Sequence, residues 1–374
     1  MRVDLLSYEL PATLIAQFPA ADREDARMML LAQGAEPKHH RIADLADHVP
    51  RGALVVLNDT RVLPARLIAQ KETGGRVEVF LVRHVGSTKV EVRGETRDAE
   101  RWRALGKASK ALRFGVDLHV LPAEGDAEAI DPRGALFVRL LGRAEDDGLL
   151  EVALFTLGPI SVRDAIHAWG RMPLPPYIKR EVQGQDAERY QTVFSRTEGA
   201  IAAPTAGLHL SRALLGRLAV RDCEVATITL HVGLGTFQPV SVEDLDDHAM
   251  HSEYFDVSRP AAMAITRAKE RGAPIVAVGT TVVRALESAV DERGEIRAQS
   301  GETRVLIQPG HRFRSVDWLL TNFHLPRSTL LALVCAFGGT DRVLSAYRSA
   351  VAEGYRFYSY GDAMLLERSA GEPP

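Results

Sequence analysis

Five short segments in the second half of the chain set His, Thr, Asn or Glu beside Gly or Pro. They are PTAGLH (Pro204–His209), LHVGLGTFQPV (Leu230–Val240), MHSEYF (Met250–Phe255), VGTTVVRALES (Val278–Ser288) and TNFHLPRSTLL (Thr321–Leu331). Gly and Pro mark the points where a strand or turn hands over to a loop or helix, and such breaks are where a rigid scaffold presents polar groups to a ligand. Together the five read as one assembled site. In ATITLHV, Thr227, Thr229 and His231 alternate with apolar residues, so one strand face carries two hydroxyls and an imidazole. His231 also reads as a half-buried strand histidine. Gly233 and Gly235 let backbone amides approach a ligand, but Gln238 breaks a G-x-G-x-x-G pattern and leaves a Rossmann dinucleotide site without support. Gly279, Thr280 and Thr281 lie between an apolar strand and an amphipathic helix, where they suit capping, the binding of a carboxylate or phosphate, or both. Thr205 and His209 flank a Gly turn, and Asn322 and His324 precede Pro326 at the end of the strand-like WLLTNF. His251 and Glu253 share a face if extended, which suits proton transfer and equally a surface ion pair.

Other chemistries find little support. His209, His231, His251 and His324 raise the question of a metal, but no HExxH or close His-x-His pair marks a site, and none is expected. The two cysteines, Cys223 and Cys335, are far apart and outside any CxxC, which disfavours a disulfide framework, a Cys-ligated zinc and an iron–sulfur cluster. GxSxG, the P-loop and CxxxCxxC are missing. A net charge of −3 argues against a generally basic nucleic-acid binder, so any RNA contact must be local. RDAERWRALGKASKALRFG at 97–115, with Arg101, Arg103, Lys107 and Lys110, is the best local patch; a solvated surface is the plain alternative. HRFRSVDW at 311–318 is a shorter one. No apolar run reaches the ~18 residues of a membrane span. Asp4, Glu9 and Pro11 interrupt what a signal peptide would need, and a cytoplasmic protein is expected.

The elements that would position these groups follow from periodicity. The length of 374 residues suits two domains. DLLSYELPATLIAQ reads as a short helix with a turn at Pro11, and Ala53–Leu57 as a buried strand ending in Asn58, Asp59 and Thr60. Between 68 and 155 the texture becomes short alternating segments (RVEVFLVRHV, KVEVRGE, FGVDLHVLP, GALFVRLLG, GLLEVALFT) separated by Gly, Pro and charged turns, the pattern of a small antiparallel barrel or sandwich. Helix and strand signals alternate again after 156, with PAAMAITRAKERGAPIVAVGTTVVRALESA reading helix, strand, turn, helix. The expected fold class is therefore α/β: a larger discontinuous α/β domain, 1–67 plus 156–374, with a smaller inserted antiparallel β-barrel domain at 68–155.

Taken in order, LNDTRVLPARL, PLPPYIKR, GAIAAPTAGLHL, TLHVGLGTFQPV, MHSEYF, VGTTVVRALES, TNFHLPRSTLL and YRFYSYGDAML closely resemble the S-adenosylmethionine:tRNA ribosyltransferase-isomerase family of queuosine biosynthesis, from about residue 2 to 366. Leu210 stands where that family often has Phe, and VQGQDAERY varies its spacing. The resemblance implies that S-adenosylmethionine is a substrate rather than a cofactor. Its ribosyl part passes to 7-aminomethyl-7-deazaguanine at the tRNA wobble position, with adenine and methionine released. It also implies the partners S-adenosylmethionine and tRNA carrying that base; no membrane association and a monomer are expected. The sulfonium acidifies the C5′ protons, so a base must take one; adenine leaves more easily when protonated, and the attacking amine must be neutral. On this basis His209, His231, Glu253 and His324 are acid–base candidates. Asn58, Asp59, Arg61, Thr205, Thr229, Thr280, Thr281 and Asn322 are substrate-binding candidates, with Thr280 and Thr281 suited to a carboxylate or a phosphate. Tyr358 and Tyr360 are candidates for stacking on a base, or for packing; Arg101, Arg103, Lys107 and Lys110 are candidates for tRNA contact. Rival readings are a non-catalytic RNA-binding module, a metal-dependent hydrolase and a methyltransferase.

Overall fold

The computed structural model describes residues 1–122, 135–145, 148–233, 235 and 240–370. Much of GLGTFQPV, at 234 and 236–239, lies outside the described residues. Contacts divide the chain into two compact units, Met1–Arg61 with Pro175–Glu181 and Glu188–Pro374, and Val62–Leu174 with Val182–Ala187.

The first unit is built on a mixed nine-stranded sheet. Its strands lie in the order Gln299–Thr303, Glu253–Val257, Glu224–Leu230, Leu54–Asn58, Ile275–Val278, Trp318–Asn322, Ala363–Glu367, Arg27–Leu31 and Lys38–Arg41. Leu54–Asn58 and Ile275–Val278 are buried at every position, as central parallel strands covered on both faces must be. Glu224–Leu230 and Ile275–Val278 both run parallel to Leu54–Asn58, and Trp318–Asn322 runs parallel to Ile275–Val278. Four carboxyl ends, at Asn58, Leu230, Val278 and Asn322, therefore meet along one edge. Ala363–Glu367 is antiparallel to Trp318–Asn322 and sets Ala363 opposite Asn322, which brings the preceding Tyr358–Asp362 loop to the same edge. Such an edge is where ligands bind in open α/β sheets. Three of the flanking helices start from serine caps: Ser211 for Arg212–Val220, Ser258 for Arg259–Glu270 and Ser328 for Thr329–Gly338.

In the second unit six strands pair antiparallel into a ring, in the order Leu150–Thr156, Glu95–Ala108, Arg76–Val92, Arg66–Gln70, Asp117–Val120 and Leu136–Arg143. Val77, Val79, Leu81, Val138, Leu140, Val152 and Leu154 fill its interior. RVEVFLVRHV and KVEVRGE, read as two segments, are one strand that bends through register shifts near Arg83 and Gly86. The unit is wider than 68–155, because the helix Val162–Trp169 packs on two of the ring strands.

One local expectation fails. DLLSYELPATLIAQ forms two 3-10 turns, Val3–Leu6 and Ala12–Leu14, instead of a helix. Pro11 lacks an N–H and pushes its predecessor out of the helical region, so the turns cannot join. Among the described residues no single helix is long and apolar enough to cross a membrane.

Candidate active site

At the meeting of the four carboxyl ends is a cavity of about 300 Å³. Its wall includes Tyr177, Thr205, Thr280, Thr281, Arg284, Asn322, His324, Arg327 and Tyr358. Six of these (Thr205, Thr280, Thr281, Asn322, His324 and Tyr358) are residues the sequence singled out, drawn from positions far apart in the chain.

Thr280 and Thr281 open the helix Thr280–Ala289 directly after Gly279, whose φ of 98° brings the chain from strand into helix. Gly279 has no side chain with which to cap; Val282 and Val283 donate to its carbonyl, so the Thr280 and Thr281 amides are the ones left for another acceptor.

Asn322 and His324 follow from the end of Trp318–Asn322. Asn322 donates through Nδ2 to the Tyr358 carbonyl and to His209 Nε2, both at 3.1 Å. The carbonyl can only accept, so the amide orientation is determined and His209 Nε2 must carry a lone pair. Burial pushes the His209 pKa down to about 4, which keeps that lone pair available. Asn322 Oδ1 has no partner among the described residues. His209 thus sits behind Asn322 rather than on the wall. Burial lowers His324 further, to about 3. Its Nε2 is 2.8 Å from Thr321 Oγ1, its N–H donates to the Tyr347 hydroxyl, and its carbonyl accepts from Tyr8. Of the four acid–base candidates, His324 alone lines this cavity.

Tyr358 holds a left-handed φ of 73°, which costs a non-glycine residue about 1–3 kcal/mol. Its carbonyl accepts from Asn322 and Gly361, and its N–H donates to the Phe323 carbonyl. Asp362 closes the loop by accepting from the Arg356 and Arg27 amides. The Tyr358 ring lies over Tyr177, with centroids 4.0 Å apart. Tyr360 is buried against Tyr190, which is a packing role.

Several other candidates hold the sheet together instead. Asn58 bonds the Leu230 N–H, the Leu230 carbonyl, the Thr60 N–H and Thr281 Oγ1. Asp59 accepts from Thr229 Oγ1 at 2.6 Å and from Arg196 at 2.8 Å. His231 is half-buried, with Nδ1 2.8 Å from Thr60 Oγ1, and desolvation lowers its pKa. Gly199 packs against that ring so closely that a Cβ would come within 2.6 Å of Nε2. Arg61 is exposed and 3.9 Å from Glu198. The four histidines do not converge: among the described residues no three His, Cys, Asp or Glu are grouped to hold a metal ion.

The His251–Glu253 pair gives way to another. Glu253 begins a strand and accepts from the Gly233 N–H, while its second oxygen forms a buried ion pair with Arg284. His251 packs beside Gly235. Arg284 is one turn after Thr280 on the same helix face, and that spacing was the available clue to it.

In the ring unit, Arg103 is tied to Glu151 on the neighbouring strand at 2.5 Å, whereas Arg101, Lys107 and Lys110 are exposed. Glu151 is 48 residues away, beyond the reach of local charge counting.

Residues 3–366 match the family described as queuosine biosynthesis protein. The chain belongs to that family. It is 54% identical over 379 residues to a Sorangium cellulosum protein named S-adenosylmethionine:tRNA ribosyltransferase-isomerase, with 98% of each chain covered. A protein of the same name from an Anaeromyxobacter species is 47% identical, covering 99% of this chain and 100% of its own. A crystal structure of S-adenosylmethionine tRNA ribosyltransferase from Thermotoga maritima is 31% identical, covers 97% of this chain and 99% of that one, and has a TM-score of 0.51. Within this queuosine biosynthesis chain, sequence reasoning passed over Arg284, Tyr177, Arg327 and Asp362. Tyr177 lies in PLPPYIKR and Asp362 in YRFYSYGDAML, so the motifs were seen and the residues within them were not.

Proposed function

We propose that this chain is an S-adenosylmethionine:tRNA ribosyltransferase-isomerase. It moves the ribosyl part of S-adenosylmethionine to the aminomethyl group of 7-aminomethyl-7-deazaguanine at the tRNA wobble position, releases adenine and methionine, and leaves epoxyqueuosine-tRNA. The observation that carries the reading is 54% identity across nearly the whole of a relative bearing that name. The cavity supports it, since about 300 Å³ is the lower end of the range for small-molecule sites.

His324 is the acid–base group we assign to the cavity. With its pKa pushed to about 3 it is uncharged at neutral pH, so it does not repel the cationic sulfonium; a base this weak takes the C5′ proton only as the sulfonium charge beside it is lost. His209 acts one step back by orienting Asn322. Tyr177 and Tyr358 offer an aromatic face for a base. The ring of strands serves as the inserted barrel domain and carries tRNA contacts through Arg101, Lys107 and Lys110. The enzyme works as a cytoplasmic monomer, without a resident metal or cofactor.

The test is to incubate metal-free protein with S-adenosylmethionine and tRNA carrying the aminomethyl base. Adenine and methionine release that depends on the modified tRNA, with a matching mass gain in the RNA, is the expected result. S-adenosylhomocysteine would mean methyl transfer instead, and no turnover by folded protein would favour a binding module.

A further inference from the structure

Arg284 is a buried cation on the wall of the cavity, 6% exposed. Its Nη1 donates to Glu253 and its Nε to the Val305 carbonyl at 3.3 Å, but Nη2 has no partner among the described residues. A buried guanidinium nitrogen with unused N–H groups is rare in a folded protein, because desolvating a donor without an acceptor is costly. Glu253 does not complete the guanidinium's bonding, since its other oxygen is taken by the Gly233 N–H.

A second feature lies on the same element. The helix Thr280–Ala289 begins at the cavity with no side-chain cap, and Thr280 and Thr281 both line the wall. Its open amides and positive dipole end favour an anion. Long helical side chains lean towards the N-terminus, so Arg284, four residues after Thr280, leans towards that first turn. Thr280, Thr281 and Arg284 all line this cavity, and Arg284 also lines a smaller one with Glu253 and Val305.

We propose that Arg284 and the first turn of Thr280–Ala289 together hold the carboxylate of the amino-acid end of the ligand, and that Glu253 is a positioning residue that holds the guanidinium rather than a proton carrier. The proposal rests on the reading of the cavity as an S-adenosylmethionine site. A carboxylate matches the planar fork of Arg and needs several donors at once, which this wall supplies.

The experiment measures equilibrium binding of S-adenosylmethionine and of its decarboxylated form to the full chain without RNA. These ligands differ only in the carboxylate. The wild type is expected to prefer the carboxylated form by about tenfold or more. The double variant Arg284→Met/Glu253→Gln, which leaves no buried charge unpaired, is expected to lose most of that preference, keeping only the share the helix start supplies, while its affinity for the decarboxylated form changes little. Equal binding of both ligands by the wild type overturns the proposal without need of any variant, as does a preference that persists undiminished in the folded double variant. A wild type that binds neither ligand would remove the S-adenosylmethionine reading itself, a different result from equal binding.

Discussion

Arg284 and Glu253 form an ion pair in which the side chains are 7% and 4% exposed, linking the helix that starts at the cavity to the strand Glu253–Val257. Breaking such a pair from one side strands a charge in the interior. Glu253→Gln or Arg284→Met alone should destabilise the protein by about 3–5 kcal/mol, and Arg284→Met/Glu253→Gln by much less than the sum. Urea denaturation of the three variants gives the coupling. Strictly additive losses would show that the two residues do not depend on each other.

His209 and His324 predict how stability varies with pH. Both have folded pKa values well below the ordinary 6.5, at about 4 and about 3, because burial disfavours the imidazolium. Protons therefore bind the unfolded chain first. Their stabilising contribution is complete above pH 6.5 and is lost as the pH falls towards 4 and then 3, by about 1.4 kcal/mol per pH unit for each histidine. Denaturation midpoints between pH 7 and 4 should fall less steeply in His324→Gln than in the wild type. An unchanged slope would mean that His324 is not held neutral by burial.

Tyr358 presents its ring to Tyr177, and no described group bonds its hydroxyl. Tyr358→Phe should then leave kcat/KM nearly unchanged, whereas Tyr358→Ala should lower it about tenfold, in line with about 1–3 kcal/mol for a lost stacking face. A large loss in the Phe variant would assign the hydroxyl a direct role.

Arg101 and Arg103 should behave differently although they are two residues apart. Arg101 is exposed, so Arg101→Glu should raise the KM for tRNA and reduce its salt dependence by roughly one phosphate contact. Arg103 is bound to Glu151, so Arg103→Ala should act first on thermal stability. Steady-state kinetics between low and moderate salt, paired with melting curves, separate the two. Equal KM effects would place both on the RNA.

The sequence by itself determined the alternation of helix and strand around the large sheet, the change of texture between 68 and 155, and the short polar motifs at strand ends. These are local properties. A buried run such as Leu54–Asn58 must be a central strand, and Gly279 before Thr280 must turn one element into the next. The same motifs carried the family resemblance, because they keep their order along the chain.

Only the tertiary structure decided which polar residues reach the cavity and which support it. His209 and His324 look equivalent in sequence, yet Asn322 stands between His209 and the cavity while His324 lines it. Glu253 is two residues from His251 but pairs with Arg284, 31 residues away, because the strand and the helix pack together. Asn58 and Asp59 spend their hydrogen bonds across strands that local sequence cannot register. A side chain's partner is set by which buried groups would otherwise stay unpaired, and that accounting closes only when distant segments are in place.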